Sequence, residues 1–493
     1  MRATLRALRA LRALVLLAGF PLLSLLPVAG LAALCWAAHL GAPTGVAVKL
    51  YVVSAVLAFL ALRGLFMLRT PPGTSPAPGL SVTEDGEPAL WRTVRELAEG
   101  TGTPAPAAVV LTGDAAASLS EDTRPRLLLG MPLIQGLSES QLRAVLAQEF
   151  ARHAGHGLTG RCRTRVLLAV AGFRKDGGQS YRVMARGYTA YAKLYVRATL
   201  ADTRRQEYEA DAVAARLAGR DATASALREI PALRDAHDYY LGHYAELGHA
   251  AGLLPPPGEI LGGFGRMLTA RELELASLRM RHCDPTTAER VKRVKALPAD
   301  GRTAEGKGAA LSLLTDADRT YAELEAALLD ENTRALPRAE DWQHLLDAAM
   351  RARLTGLDTP VHQALAAYTG EQSTLRTLLK VIDDGQLWRL AQRLPLSDQA
   401  AAASGRAFRE FARPALRRAL RGMVLAELSA LNRLRWEFSW SEADPNPLME
   451  GGPARVVDAV DAAVADSPDT APLRALLLPS APPAPPTDER TTS

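Results

Sequence analysis

The chain has 493 residues, enough for two or three domains with separate cores. Its 58 Lys and Arg against 53 Asp and Glu leave a net charge of +5, scattered along the sequence, which excludes a basic stripe for nucleic acid. Three cysteines without CxxC spacing, Cys35, Cys162 and Cys283, exclude a disulfide framework or zinc ribbon and suit a reducing compartment.

The first predicted elements are membrane spans. Residues 13–38 carry no charge and exceed the roughly 20 residues that cross a bilayer as a helix. A second apolar run covers 50–62, bounded by Lys49 and Arg63, and extends to Leu68 if Arg63 snorkels. Gly41, Pro43 and Gly45 supply the turn between them. The first run is too long for a signal peptide and is followed by a second. Arg2, Arg6, Arg9 and Arg12 precede the first span, so the positive-inside rule predicts a hairpin with both ends in the cytoplasm. The expected location is the cell membrane, with the rest of the chain cytoplasmic.

TPPGTSPAPG (70–79) reads as a linker. An amphipathic helix follows around Leu90–Ala98, and residues 107–113 and 126–130 read as short strands. Ser138 and Gln141 form a capping box that opens a helix with Leu142, Val145, Leu146 and Phe150 on one face. Gly155 and Gly157 are expected to end it. A long helical segment spans 181–218, and LLPPPGE (253–259) breaks the chain. Residues 310–475 read as a helical array with turns at Gly356, Gly370 and Pro395. The last stretch, 479–493, is Pro-rich and expected to be disordered.

The helix after the capping box contains Gln148-Glu149-Phe150-Ala151-Arg152. In HExxH, two histidines four residues apart share a helix face and hold one zinc, and the glutamate acts as general base on the metal-bound water. On a later helix, Glu207 and Asp211 of EYEAD are also four apart and share a face. Three segments, 126–150, 204–219 and 282–294, together resemble the membrane-anchored zinc metallopeptidases of the HtpX and CAAX prenyl protease kind, metallopeptidase family forty-eight. The resemblance covers roughly 85–295. It implies a zincin-like domain, with Glu149 at the general-base position, Glu207 at the third metal-ligand position and Asp211 supporting the site. Asp284 stands where the family's later element has a histidine.

The departures fall on the ligands. Gln148 offers only a neutral amide oxygen, and Arg152 carries a permanent charge without a usable lone pair. A guanidinium about 4 Å from a divalent ion is repelled by roughly 8 kcal/mol at an effective dielectric of 20. That cancels most of the roughly 10–16 kcal/mol a structural zinc site supplies. The expectation is therefore a degenerate site in which Arg152 replaces the metal charge by pairing with Glu207, and no cofactor. Two rival readings stand beside it. One is an active zinc endopeptidase with an atypical ligand set, including a shifted site at His153 and His156. The other is a helical membrane adaptor. His243 and His249, near Tyr239, Tyr240 and Tyr244, read as packing residues.

The expected fold is mainly α with a small β-sheet (α+β): a transmembrane hairpin over 1–69, a linker over 70–84, a metallopeptidase-like domain over 85–300 and a helical region over 301–478. The implied partners are the membrane and membrane or misfolded polypeptides, with no nucleic acid. Whether the chain is an enzyme is left open at this point.

Overall fold

A computed structural model describes residues 15, 25, 28–41, 43–69, 78–120, 124–155, 182–272, 274, 276–277, 284–298, 308–356, 359–395, 397, 402–442, 445–449 and 452–477. The fold is mainly helical with two small sheets. Its contacts divide the chain into two units: 1–238 with 261–330, and 239–260 with 331–493. This division differs from the boundary near 300 drawn from sequence, because residues 308–330 fold back onto the first unit. The Glu87 carboxylate, only 6 % exposed, accepts from Thr315 N–H (2.7 Å) and Thr320 Oγ1 (3.3 Å), which fastens that return.

Half of the expected first span, 13–38, lies outside the described residues, as does all of the tail 479–493. The second run lies in helix α1 (Thr44–Arg69). Among the described residues no helix is long and apolar enough to cross a membrane, so the expected hairpin is not found there.

In the first unit a four-stranded sheet comprises β1 (Leu80–Val82), β2 (Ala108–Thr112), β3 (Ala117–Leu119) and β4 (Arg126–Gly130), in the order β1-β2-β4-β3. β2 and β4 are parallel, with Ala108 opposite Arg126 and Thr112 opposite Gly130; β1 and β3 run antiparallel on the two edges. The edge strands are too short to be read from sequence. Helix α2 (Pro88–Thr101) buries Leu90, Trp91, Val94 and Leu97, starts with Pro at its first turn and stops at Gly102, whose φ of 68° suits glycine. Gly130 is required by close approach, since a Cβ there would collide with the Asp114 carbonyl.

Helices α3 (Met131–Gly136) and α4 (Glu139–Gly155) follow β4. The capping box forms as expected: Ser138 N–H donates to Gln141 Oε1 (2.8 Å) and Gln141 N–H to Ser138 Oγ (3.3 Å). Leu142, Val145, Leu146 and Phe150 are buried. α4 packs on α2 and, most extensively, on the long helix α5 (Arg182–Ala218). α6 (Arg220–Tyr240), α7 (Glu259–Ala270), α8 (Pro285–Lys295) and α9 (Ala317–Leu328) follow. Ala215, Ala224, Leu227, Val291 and Val294 form one cluster that holds α8 against α5 and α6.

The second unit contains α10 (Trp342–Thr355), α11 (Pro360–Thr369), α12 (Leu375–Asp383), α13 (Leu387–Ala391) and α14 (Gly405–Ala430). The turns at Gly356 and Gly370 lie where α10 and α11 end. A hairpin not foreseen from sequence, β5 (Leu434–Glu437) with β6 (Asn446–Met449), precedes α15 (Gly452–Ala463) and α16 (Ala471–Leu477). Tyr244, Trp342, Phe438 and Trp440 pack ring to ring in its core, and His243 stacks on Tyr239 at 4.1 Å.

Candidate functional site

The residues singled out on α4 and α5 carry the site, and α8 completes it. Glu149 on α4 is 8 % exposed. One helical turn on, Arg152 Nη2 donates to Glu149 Oε2. This differs from the expected pairing of Arg152 with Glu207. The cause is local geometry: residues three apart on a helix are neighbours, and the more deeply buried carboxylate has the greater need of a cation. Gln148 is half-buried beside Glu149.

On α5, Asp211 is 2 % exposed. It accepts two hydrogen bonds from the fork of Arg290 on α8, Nε to Oδ2 at 2.8 Å and Nη2 to Oδ1 at 2.7 Å. Such a bidentate pair fixes both side chains in one plane. Glu207, one turn before Asp211, is half-buried and lies in the field of Arg290. The same guanidinium acts on Glu149. Arg290 thus serves three carboxylates from two helices, and sequence reasoning missed it. The signal was present in AERVKRV, but that segment offers two Arg-Val steps. The structure separates them: Arg293 turns outward, over the Tyr208 ring at 4.0 Å and onto Glu289 at 2.8 Å.

Two ionisation shifts follow. Burial pushes the Glu149 carboxyl above its ordinary 4.5, against the opposing pull of Arg152 and Arg290. Arg290 is held above its ordinary range: burial opposes its charge, and the bonds and charges of Asp211, Glu207 and Tyr208 outweigh it.

Asp284 acts on its own helix. It caps α8, accepting from Thr286 N–H (2.7 Å), Thr287 N–H (2.9 Å) and Thr287 Oγ1 (2.8 Å), with Pro285 at the first helical position. These bonds, led by that from the Thr287 N–H, hold its carboxyl below the usual range. His153 lies on α4, half-buried, while His156 is outside the described residues. Among the described residues no group of three His, Cys, Asp or Glu is placed to hold a metal ion.

The donor set does not fit a divalent metal. At the ligand positions stand a neutral amide, a cation and one carboxylate, and the cation is hydrogen-bonded to the glutamate at the general-base position. What the arrangement does is pair buried charge, Arg152 with Glu149 and Arg290 with Asp211, with Arg290 also in the fields of Glu207 and Glu149.

No curated protein and no solved structure matches the chain. Residues 86–297 match the model of Peptidase family M48, a span that takes in β2, β3, β4, Glu149, Glu207, Asp211 and Arg290, and the match supports placing this part of the chain in that metallopeptidase family.

Proposed function

We propose that this is a membrane-anchored, metallopeptidase-like protein whose zinc site is degenerate and which binds polypeptide at the membrane without cleaving it. The observation that carries this reading is the Arg152–Glu149 pair. A general base needs a carboxylate free to take a proton from water, and here a fixed cation occupies it. The membrane part is supported by the N-terminal segment. Trp36, Leu40, Val52 and Phe59 are 61–71 % exposed, and water disfavours such a concentration of large apolar side chains. Lipid would cover them, with Arg2, Arg6, Arg9 and Arg12 on the cytoplasmic side.

The test uses the full chain purified in detergent. The expected result is substoichiometric zinc by elemental analysis and casein turnover equal to that of Glu149→Gln. Stoichiometric zinc together with cleavage abolished in Glu149→Gln would establish the second reading, an active zinc endopeptidase using Glu207 and a shifted ligand such as His153. The family match over 86–297 is what favours that second reading.

A further inference from the structure

In the second unit, strand β5 pairs with β6 through Arg435 opposite Leu448, Trp436 opposite Pro447 and Glu437 opposite Asn446. Proline has no N–H to give, so Trp436 and Pro447 occupy a non-hydrogen-bonded position. The N–H and C=O of Trp436 therefore face away from β6, as do those two residues on either side. That outer edge is turned toward α10. There the Gln343 side chain donates Nε2–H to Trp436 O (2.6 Å) and accepts from Phe438 N–H through Oε1 (2.9 Å). An acceptor and a donor two residues apart, bridged by one amide, is how a single residue of a parallel strand pairs with its neighbour.

A cleft of about 420 Å³ includes this point, lined by Gln343, Asp347 and Arg351 of α10, by β5, by Leu448 of β6 and by the end of α14. The helix residues recur every four positions, about 6 Å apart, close to the roughly 6.7 Å two-residue repeat of an extended chain. Successive side chains of α10 can thus address alternate residues of one strand. The lining charges balance, with Asp347 and Glu437 against Arg351 and Arg435, so the cleft selects no net charge.

We propose that the edge of β5 facing α10 binds an extended polypeptide segment by strand addition, through its main chain, with the Gln343 amide as an internal plug that the segment displaces. The proposal goes beyond the reading above and stands whether or not the first unit binds metal.

The probe is a fluorescein-labelled hexapeptide of alternating valine and threonine flanked by lysine and glutamate, titrated with the full chain and read by anisotropy. The same peptide N-methylated at alternate residues lacks the donors for one edge. The expected result is saturable binding, lost by about tenfold or more on N-methylation, and strengthened about five- to tenfold in Gln343→Ala because the competing amide is gone. Amide exchange across 434–437 reports whether the hairpin persists in that variant. If it does not, Gln343→Glu keeps the acceptor for Phe438 N–H and lacks the donor for Trp436 O, and must still bind more tightly than the parent chain. Equal affinity for both peptides, or no gain in a variant that keeps its hairpin, overturns the proposal.

Discussion

Arg290→Ala tests the account of the first unit most directly. Asp211 is 2 % exposed, and the two bonds from Arg290 are the ones that neutralise it. Two unit charges about 4 Å apart attract by roughly 4 kcal/mol at an effective dielectric of 20. Removing one partner of a buried pair strands the other and costs about 3–5 kcal/mol. Arg290→Ala should fall in that range. Asp211→Ala should cost less, roughly 2–3 kcal/mol, because Arg290 keeps the fields of Glu207 and Glu149 and has a 17 % exposed side chain. The double variant should show a coupling of about 2 kcal/mol or more. Urea unfolding, with amide exchange over α5 and α8 to assign the transition to the first unit, measures all three. Additive effects of about 1 kcal/mol or less are what an exposed ion pair gives, and would refute the idea that Arg290 neutralises the buried carboxylate.

The raised Glu149 carboxyl sets the sign of a pH dependence. The folded state holds this proton more tightly than the unfolded one, so its contribution is fully present below 4.5 and is lost as pH rises through the folded value. Glu149→Gln should flatten that fall, and Arg152→Ala should steepen it by removing a charge that favours ionisation; stability curves that superimpose on the parent's across this window would refute the assignment. Gln148→His with Arg152→His supplies the two imidazoles of HExxH and releases Glu149, so it should take up zinc, measurable by elemental analysis and by competition with a chromogenic chelator. A metal-free double variant would mean that the helices have drifted beyond ligand distance. Asp284→Ala removes the cap of α8 and should cost about 1 kcal/mol, read by urea unfolding, with Asp284→Asn restoring most of it.

Local signals in the sequence carried the elements around the site. The capping box at Ser138 and Gln141, the apolar face of α4, and the four-residue spacing of Glu207 and Asp211 each lie within one or two helical turns. So do Gln148 and Arg152, at the positions that HExxH fills with histidine. The short edge strands and the β5–β6 hairpin were not legible, because three or four residues carry too little alternation to mark a strand; nor was the return of 308–330 to Glu87, because its partner is distant in the chain. The choice of cation was of the same kind. Composition showed that arginines were available, but which one reaches Asp211, and whether Arg152 turns to Glu207 or to Glu149, depends on how α4, α5 and α8 pack and on which carboxylate that packing removes furthest from water. Sequence determined which charges the site contains. Only the tertiary structure decided how they pair, because the cost of an unpaired charge is set by burial, and burial belongs to the assembled helices.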